Sequence, residues 1–566
     1  MKIWLAVIAL FLLSAQTAAA QNAAAGKAYF ERNCSVCHSA DKAGSAGQGP
    51  PLFGIVGRRV GTMGFGYSNT LMAAGQSGKT WTAAALDAFL ANPSAAMPGT
   101  AMPVSIAAAK DRANVIAYLK TLVGGRPRKL SDFPDMTPGD VAAAQKSAKA
   151  AGFDVWTEAL PGTMHHITVA QMPRPLASKN VSNPAKIAPR PANALPKVPA
   201  GFTVSVFSQD VDHPRNMAVA PNGDIFVAES AANRIKVIHP GGGSATIYAS
   251  GLDGPFGMAF YPAGPNPKYL YVANTLSIVR FAYKAGDTKA PPPETIVSHL
   301  TAFPGGHITR TLVFTADGQH MLVSVGAATN VANPMPKKPP QAIATWEAAH
   351  GTGAAWADEF ERAAILQFDP DGKNRKVYAQ GIRNCVGMAI QPQTGGLLCS
   401  NNERDYIGDD LPPDFFTRVP QGSFFGWPWY YIGAHQDPRH AGERPDLKTK
   451  ITVPDLLIQP HSAPLGFALY YPRAGASHAF PAQYTGDAFI ALHGSGNRTL
   501  RTGEKIVRVK IVNGAPADSY QDFMTGFIVD NNSVWGKPVA VVVAADGALL
   551  VSDDVSNTIW RIAPGG

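Results

Sequence analysis

The sequence predicts a multidomain protein: a small N-terminal all-α domain followed by a large C-terminal all-β domain, a six-bladed propeller. Three observations carry this. Cys34-Ser35-Val36-Cys37-His38 stands alone as a compact motif within the first hundred residues. After Phe202 the text changes to short apolar runs separated by turn residues, and six segments repeat one form. Only 16% of the 566 residues are charged, against an average of about 25%, and the chain holds 55 glycines and 47 prolines. That balance, with 46% hydrophobic residues, excludes global disorder and leans towards β structure in a large soluble protein.

Residues 1–20 read as a signal peptide. Lys2 supplies the positive charge, Ile3 to Leu13 form the apolar run, and Ala18 and Ala20 fit a cleavage site before Gln21. The run is shorter than the roughly 20 apolar residues that spanning needs. The expectation is a periplasmic protein, cleaved near Ala20, with no integral membrane segment afterwards.

Residues 21–125 form the first domain. They carry nine Lys/Arg and four Asp/Glu, a balance of +5 within a formal net charge of +9 for the chain. The cations are scattered, without long basic runs or interleaved aromatics, so nucleic acid is not expected. An acidic protein partner, steered in by the field, suits the pattern. Two thiols at i and i+3 followed by histidine is the attachment pattern of c-type haem: Cys34 and Cys37 add to the haem, and His38 ligates its iron. A redox dithiol or half a zinc site would lack the histidine or need a second pair. Electron transfer calls for a second axial ligand, and Met63, Met72, Met97 and Met102 compete for it.

The surroundings resemble a class I cytochrome c over residues 24–124. The likeness rests on Gly26 and Phe30, Gly49-Pro50-Pro51-Leu52, Gly57-Arg58, Phe65-Gly66-Tyr67-Ser68, Trp81, Pro98-Gly99-Thr100-Ala101-Met102, Asp111-Arg112 and Ala117-Tyr118-Leu119. The resemblance implies His38 and Met102 as the axial pair, with the Pro50 carbonyl holding the other nitrogen of His38. It also places Arg58, Tyr67 and Trp81 near the haem propionates.

Residues 126–198 are a Pro/Ala-rich connector, with a short helix possible over 140–151 and breakers at Pro173, Pro175, Pro184, Pro189, Pro191 and Pro196. Ordered wrapping over a neighbour and an extended tether are both open, and the prolines favour stiff chain.

Residues 199–566 hold the six hairpins: Met217 to Ala228, Met258 to Ala273, Leu312 to Val325, Met388 to Ser400, Phe480 to Leu492 and Val539 to Ser552. A second recurring piece begins at Asn233, Ser277, Ala364, Glu504 and Asn557, and is expected to be the outer strand of each unit. Loops on one face of a propeller converge on its channel, which makes the polar residues flanking these hairpins informative. They include His307, Arg310, Arg383, Asn384, Glu403, Arg404, His461, His493, Arg498 and Lys537.

Over roughly residues 160–566 the sequence resembles the soluble PQQ-dependent glucose and sorbosone dehydrogenases. The likeness rests on Arg383-Asn384-Cys385-Val386-Gly387, Asn402-Glu403-Arg404-Asp405, Phe425-Gly426-Trp427-Pro428, Asp437-Pro438-Arg439-His440, Trp535-Gly536-Lys537-Pro538, and the Gly306-His307 segment with Arg310. It implies His307 as catalytic base with Arg310 beside it, and Arg383 and Lys537 on the quinone. It also implies oxygens of the Glu403–Arg404 loop on a calcium. PQQ is a tricarboxylate, so its pocket needs fixed cations, which Arg383, Arg404, Arg498 and Lys537 could supply, with Asn384 alongside. The expected reaction is oxidation of a sugar, alcohol or aldehyde at PQQ–calcium. Electrons pass to covalent haem c and on to an acceptor protein of the respiratory chain. Ile308, Gly496 and Lys537 depart from the family's usual residues, and the first two are expected to widen or reshape the substrate region. Two other readings stand beside it: a calcium-dependent propeller lactonase, and a cofactor-free propeller on an electron-transfer cytochrome.

Cys385 and Cys399 are left over. With Pro392 to Gly395 as the turn, Cys399 faces Met388, which is poor geometry for a disulfide unless a bulge repairs the register.

Overall fold

The computed structural model describes residues 23–35, 37–40, 49–61, 68–100, 102, 104–122, 138–178, 180–181, 183–301, 306–332 and 335–565. The expected signal peptide and Tyr67 lie outside them. The chain divides into two compact units, Met1–Asp135 and Met136–Gly566.

The first unit is helical. A helix over 23–33 precedes Asn69–Gln76, Ala83–Ala91, the short Pro93–Ala96 and Ala109–Thr121. Thr82 and Asn92 start two of these by accepting from the amides of Ala85 and Ala95, at 3.1 and 3.0 Å. The first and last helices cross where Gly26 meets the Asn114 carbonyl; a Cβ at position 26 would stand 1.8 Å from that oxygen. Phe30 and Tyr118 then meet with ring centroids 5.4 Å apart. Trp81, Phe89, Leu90, Val115 and Leu119 complete the core, and Cys34, Leu52, Met97 and Met102 line its edge.

Among the described residues, besides two smaller sheets, the second unit contains six large antiparallel ones, five of four strands and one of five. Their first strands are Met217–Val219, Met258–Tyr261, Leu312–Phe314, Cys385–Ile390, Pro464–Leu469 and Pro538–Val543. Five of them draw four strands from one stretch of chain, and the sixth is completed by Phe202–Ser208, paired with Thr558–Pro564. Each first strand packs against the next, and the sixth returns to the first. Glycine allows the closest of these approaches. A Cβ at Gly387 would meet the Leu465 carbonyl at 2.4 Å, and one at Gly466 would meet Ala540 Cα at 2.9 Å.

Five of the six expected hairpins coincide with the first two strands of a sheet. The fifth differs: its first strand is Pro464–Leu469, not the segment at Phe480. Phe480 is apolar because its ring stacks 4.6 Å from that of Tyr470, within a cluster with Tyr484, Phe489 and Phe523. The second recurring piece is the third strand of its sheet rather than the outermost; a further strand pairs beyond it.

From Met136 the expected connector is part of this unit. The helix Pro138–Ala151 packs Ala148 with Phe153, Val155 and Ile167 into the core of the fourth and fifth sheets. Met164–His165 adds to the strand Ala515–Met524, and Lys186–Ile187 pairs in parallel with Ser533–Val534. Among the described residues no helix is long and apolar enough to cross a membrane.

Candidate functional site

In the first unit Cys34 and Cys37 lie on the turn that ends the first helix. The ring of His38 is clamped: Nδ1 lies 2.6 Å from the Pro50 carbonyl, as the cytochrome likeness implies. A Cβ at Gly49 would lie 2.2 Å from Cε1 of the ring. Because a carbonyl only accepts, Nδ1 carries the proton and Nε2 keeps its lone pair for a metal. Burial lowers the pKa of His38, against the Pro50 bond, which keeps that lone pair available. Arg58 is buried and donates to the carbonyls of Pro51 (3.0 Å) and Phe53 (3.1 Å), pinning the loop that presents Pro50.

In the second unit His307 is 7% exposed and anchored twice to Ala327: its amide donates to the Ala327 carbonyl at 3.0 Å, and Nδ1 lies 2.8 Å from the same oxygen. Burial, then the charges of Arg383 and Arg362, lower its pKa to about 3, so the imidazole is neutral with Nε2 unprotonated. Gly326 makes room for this: a Cβ there would stand 2.6 Å from His307 Cβ and 2.3 Å from Asn384 Oδ1. That Asn384 oxygen is buried and has no partner among the described residues.

Arg383 reaches the same region. Nη1 donates to the carbonyls of Glu403 (2.7 Å) and Asn402 (3.2 Å), and Nη2 donates to Asn330 Oδ1 at 2.8 Å. These acceptors are all neutral oxygens, and no ion pair to Arg383 occurs among the described residues. A second basic group gathers around Asp554: Arg215 Nη1 at 2.5 Å and His493 Nε2 at 3.1 Å. Burial would raise the Asp554 carboxyl, but His493 and Arg215 hold it well below the usual range. Lys537 is half-buried nearby, its Nζ 3.4 Å from the Gly494 carbonyl and 3.7 Å from Glu504 Oε1.

Other expected residues make contacts within the protein. Arg310 is fully buried and donates Nη1 to the carbonyls of His307 (2.6 Å) and Thr309 (2.8 Å). It supports the backbone of His307, and its Nε and Nη2 are buried without a hydrogen-bond partner among the described residues. Arg404 pairs with Asp437 at 2.6 Å and spends its other nitrogens on the carbonyls of Asp405 and Tyr406. Arg498 pairs with Asp410 at 2.5 Å. The Glu403 carbonyl, expected on calcium, already accepts from Arg383, so a calcium on it would stand against a guanidinium. Burial pushes the carboxyls of Glu403 and Asp414 up to about 7. Gly496 does not open space either: a Cβ there would meet Pro184 Cα at 2.8 Å, so the preceding segment fills the position.

Cys385 and Cys399 form a disulfide, with Cα atoms 5.8 Å apart. Met388 does face Cys399, but the register shifts between Cys385 and Gly387, and this bulge brings Cys385 within reach.

Arg215 and Asp554 escape motif reading, yet the repeat marks them. Asp554 follows the second strand of its sheet as Asn402 and His493 follow theirs, because Asp553, Asn401 and Leu492 hold equivalent register. Arg215-Asn216 precedes the first sheet as Arg383-Asn384 precedes the fourth.

Comparison with known proteins agrees with this division. Residues 196–412 and 438–564 match the family described as TrAA12-like, and residues 23–123 match Cytochrome c. The first domain is 41% identical over 102 residues to cytochrome c of Tetrahymena pyriformis, covering 18% of this chain and 89% of that protein. An uncharacterized protein of Borreliella burgdorferi is 27% identical over 385 residues, 65% of this chain and 90% of its own. The fold is that of the PQQ domain of pyranose dehydrogenase from Coprinopsis cinerea, at 20% identity and TM-score 0.51, over 66% of this chain and 98% of that one. It is likewise that of the Trichoderma reesei carbohydrate-active enzyme of family AA12, at 21% identity and TM-score 0.50, over 65% and 97%.

Proposed function

This chain belongs to the TrAA12-like family and carries a cytochrome c at its N-terminus, and from that premise we propose that it is an exported quinohaemoprotein dehydrogenase. It oxidises a sugar or another alcohol or aldehyde at PQQ with calcium and delivers the electrons to haem c, from which a respiratory acceptor protein takes them. The six sheets are read as six blades of a propeller closed by the strand Phe202–Ser208, a reading supported by the closed succession of first strands.

The observation that carries the reaction is the buried, neutral imidazole of His307, oriented through Nδ1 so that Nε2 is left to take a substrate hydroxyl proton. The residues around it suit a carboxylated quinone. Arg383 is a buried cation without an ion pair among the described residues, and Asn384 Oδ1 is an orphaned acceptor beside His307. Lys537, with its Nζ 3.7 Å from Glu504 Oε1, supplies a second cation. When bound, PQQ with calcium as Lewis acid would supply a hydride acceptor that can be reoxidised one electron at a time. Arg310 and Arg362 hold the His307 carbonyl at 2.6 and 3.2 Å, fixing the base against recoil. In the first domain Cys34 and Cys37 would carry the haem, and His38 Nε2 and Met102 would ligate its iron.

The test is reconstitution of the protein with PQQ and calcium against aldoses, alcohols and aldehydes, using an artificial dye as acceptor. Lactone hydrolysis is assayed in parallel. Dye reduction that requires PQQ supports the proposal, and calcium-dependent lactone hydrolysis without it would replace the proposal with a hydrolase.

A further inference from the structure

The segment that precedes the six sheets reaches the loop below Lys537 at Asn183. Asn183 is 5% exposed, although it lies in a proline-rich stretch that the sequence leaves as connector. Its amide donates to the Gly496 carbonyl at 2.6 Å, and its Nδ2 donates to the carbonyls of Asn531 (2.9 Å) and Thr499 (3.3 Å). Its own carbonyl accepts from Arg501 Nη2 at 2.6 Å.

Arg501 carries the contact inward. It is 1% exposed, and its Nη1 donates to Glu504 Oε1 at 3.2 Å. The same oxygen lies 3.7 Å from Lys537 Nζ, and Lys537 also reaches the Gly494 carbonyl at 3.4 Å. Gly494 sits directly on the Glu504 carboxylate; a Cβ there would come within 2.3 Å of Oε1. The loop from His493 to Arg501 is therefore held from outside by Asn183 and from beneath by Glu504, with Arg501 joining the two. Gly496 is the seat of the outer contact, because any Cβ there collides with main-chain atoms of Pro184 rather than with a flexible side chain.

We propose that Asn183 is a positioning residue for the cofactor pocket: through Gly496, Arg501 and Glu504 it fixes where Lys537 presents its ammonium to a carboxylate of the bound quinone. The inference rests on the PQQ reading of the site. It makes the preceding segment a working part of the pocket rather than a spacer. Asn183 touches no reacting group, and it acts only through the chain of contacts that ends at Lys537.

The experiment is a double-mutant cycle read by equilibrium PQQ binding, with no substrate present. The full-length protein, freed of quinone, is titrated with PQQ in calcium buffer and followed by tryptophan fluorescence. Variants are Asn183→Ala, Gly496→Ala, Lys537→Met and the double variants of each of the first two with Lys537→Met. Thermal unfolding and the haem spectrum report on folding. The expected result is about tenfold weaker PQQ binding for Asn183→Ala, as two buried donor contacts are lost, and a similar loss for Gly496→Ala. Neither substitution should weaken binding further once Lys537 is methionine, since coupled residues are non-additive. Additive losses would overturn the proposal, because a purely structural Asn183 would act alike in both backgrounds. Unchanged binding in folded Asn183→Ala and Gly496→Ala would also overturn it. Failure of the unmutated protein to bind PQQ would instead remove the functional reading itself, and this inference with it.

Discussion

The main-chain oxygen of Ala327 lies 2.8 Å from Nδ1 of His307 and accepts the amide of the same residue at 3.0 Å. One carbonyl thus sets both the backbone and the ring of the proposed base. A protonated Nδ1 facing a carbonyl leaves Nε2 as the basic nitrogen, and burial beside Arg383 keeps it so.

Replacing His307 by Gln should therefore lower substrate-driven haem reduction by about 10²-fold or more, the usual worth of a general base, while reduction by dithionite is unchanged. Because the pKa of His307 is lowered to about 3, kcat should show no break near pH 6.5. A histidine-like inflection there would contradict the burial argument. Stability has its own sign. The native state holds this ring neutral while the unfolded state protonates below about pH 6.5, so its contribution falls as pH drops from there towards 3.

Met102 stands at the edge of the first unit's core with Cys34 and Leu52. If it ligates the iron opposite His38, Met102→Ala should lower the haem midpoint potential in a redox titration, since thioether ligation favours the reduced state. PQQ binding by the second unit should be unaffected. An unchanged potential would assign the axial position to another group.

The disulfide joins two buried residues 14 positions apart, on the first and second strands of the fourth sheet, next to Arg383 and Asn384. The variant Cys385→Ser with Cys399→Ser should lose about 3 kcal/mol in denaturant unfolding, as expected for a closed loop of this size. Added reductant should lower the unfolding midpoint of the parent and leave the variant unmoved.

Lys505 lies between two buried carboxylates, pairing with Asp154 and standing 2.7 Å from Asp522 Oδ1, with His165 Nε2 3.0 Å from that same oxygen. This cluster fastens the 138–198 segment to the fifth sheet. Lys505→Met should cost about 3–5 kcal/mol at neutral pH by leaving buried charge uncompensated. Burial works against the Asp154 charge, but Lys505 and His165 hold its carboxyl below the usual value. A depressed carboxyl stabilises the fold above about pH 4 and loses that contribution as pH falls through its folded pKa. The gap between parent and variant should therefore narrow on acidification, measured by unfolding at several pH values.

Local chemistry explains which features the sequence makes legible. The haem motif needs only neighbouring residues, and the hairpins repeat a strand, a turn and a strand, so both are visible without tertiary information. Phe480 misleads because burial in an aromatic cluster looks the same as burial in a strand. The outermost strands are missed because Ala245–Ser250 and Glu294–Val297 are half polar and lack the apolar signature of the inner ones. Charge partners are the least legible. Nothing near Arg404 announces that Asp437, thirty-three residues on, consumes its guanidinium, nor that Arg383 occupies the Glu403 carbonyl. The proline-rich 138–198 stretch reads as linker because its packing depends on residues more than 300 positions away, such as Lys505 and Asp522.

The proposed activity requires electrons to pass from a quinone in the second unit to a haem in the first. The direct measurement is the haem absorbance of the oxidised, PQQ- and calcium-loaded protein after an aldose, alcohol or aldehyde is added, with no other acceptor present. The account predicts haem reduction that requires PQQ and disappears in His307→Gln. Substrate oxidation that leaves the haem oxidised, or haem reduction that proceeds equally without PQQ, would contradict it.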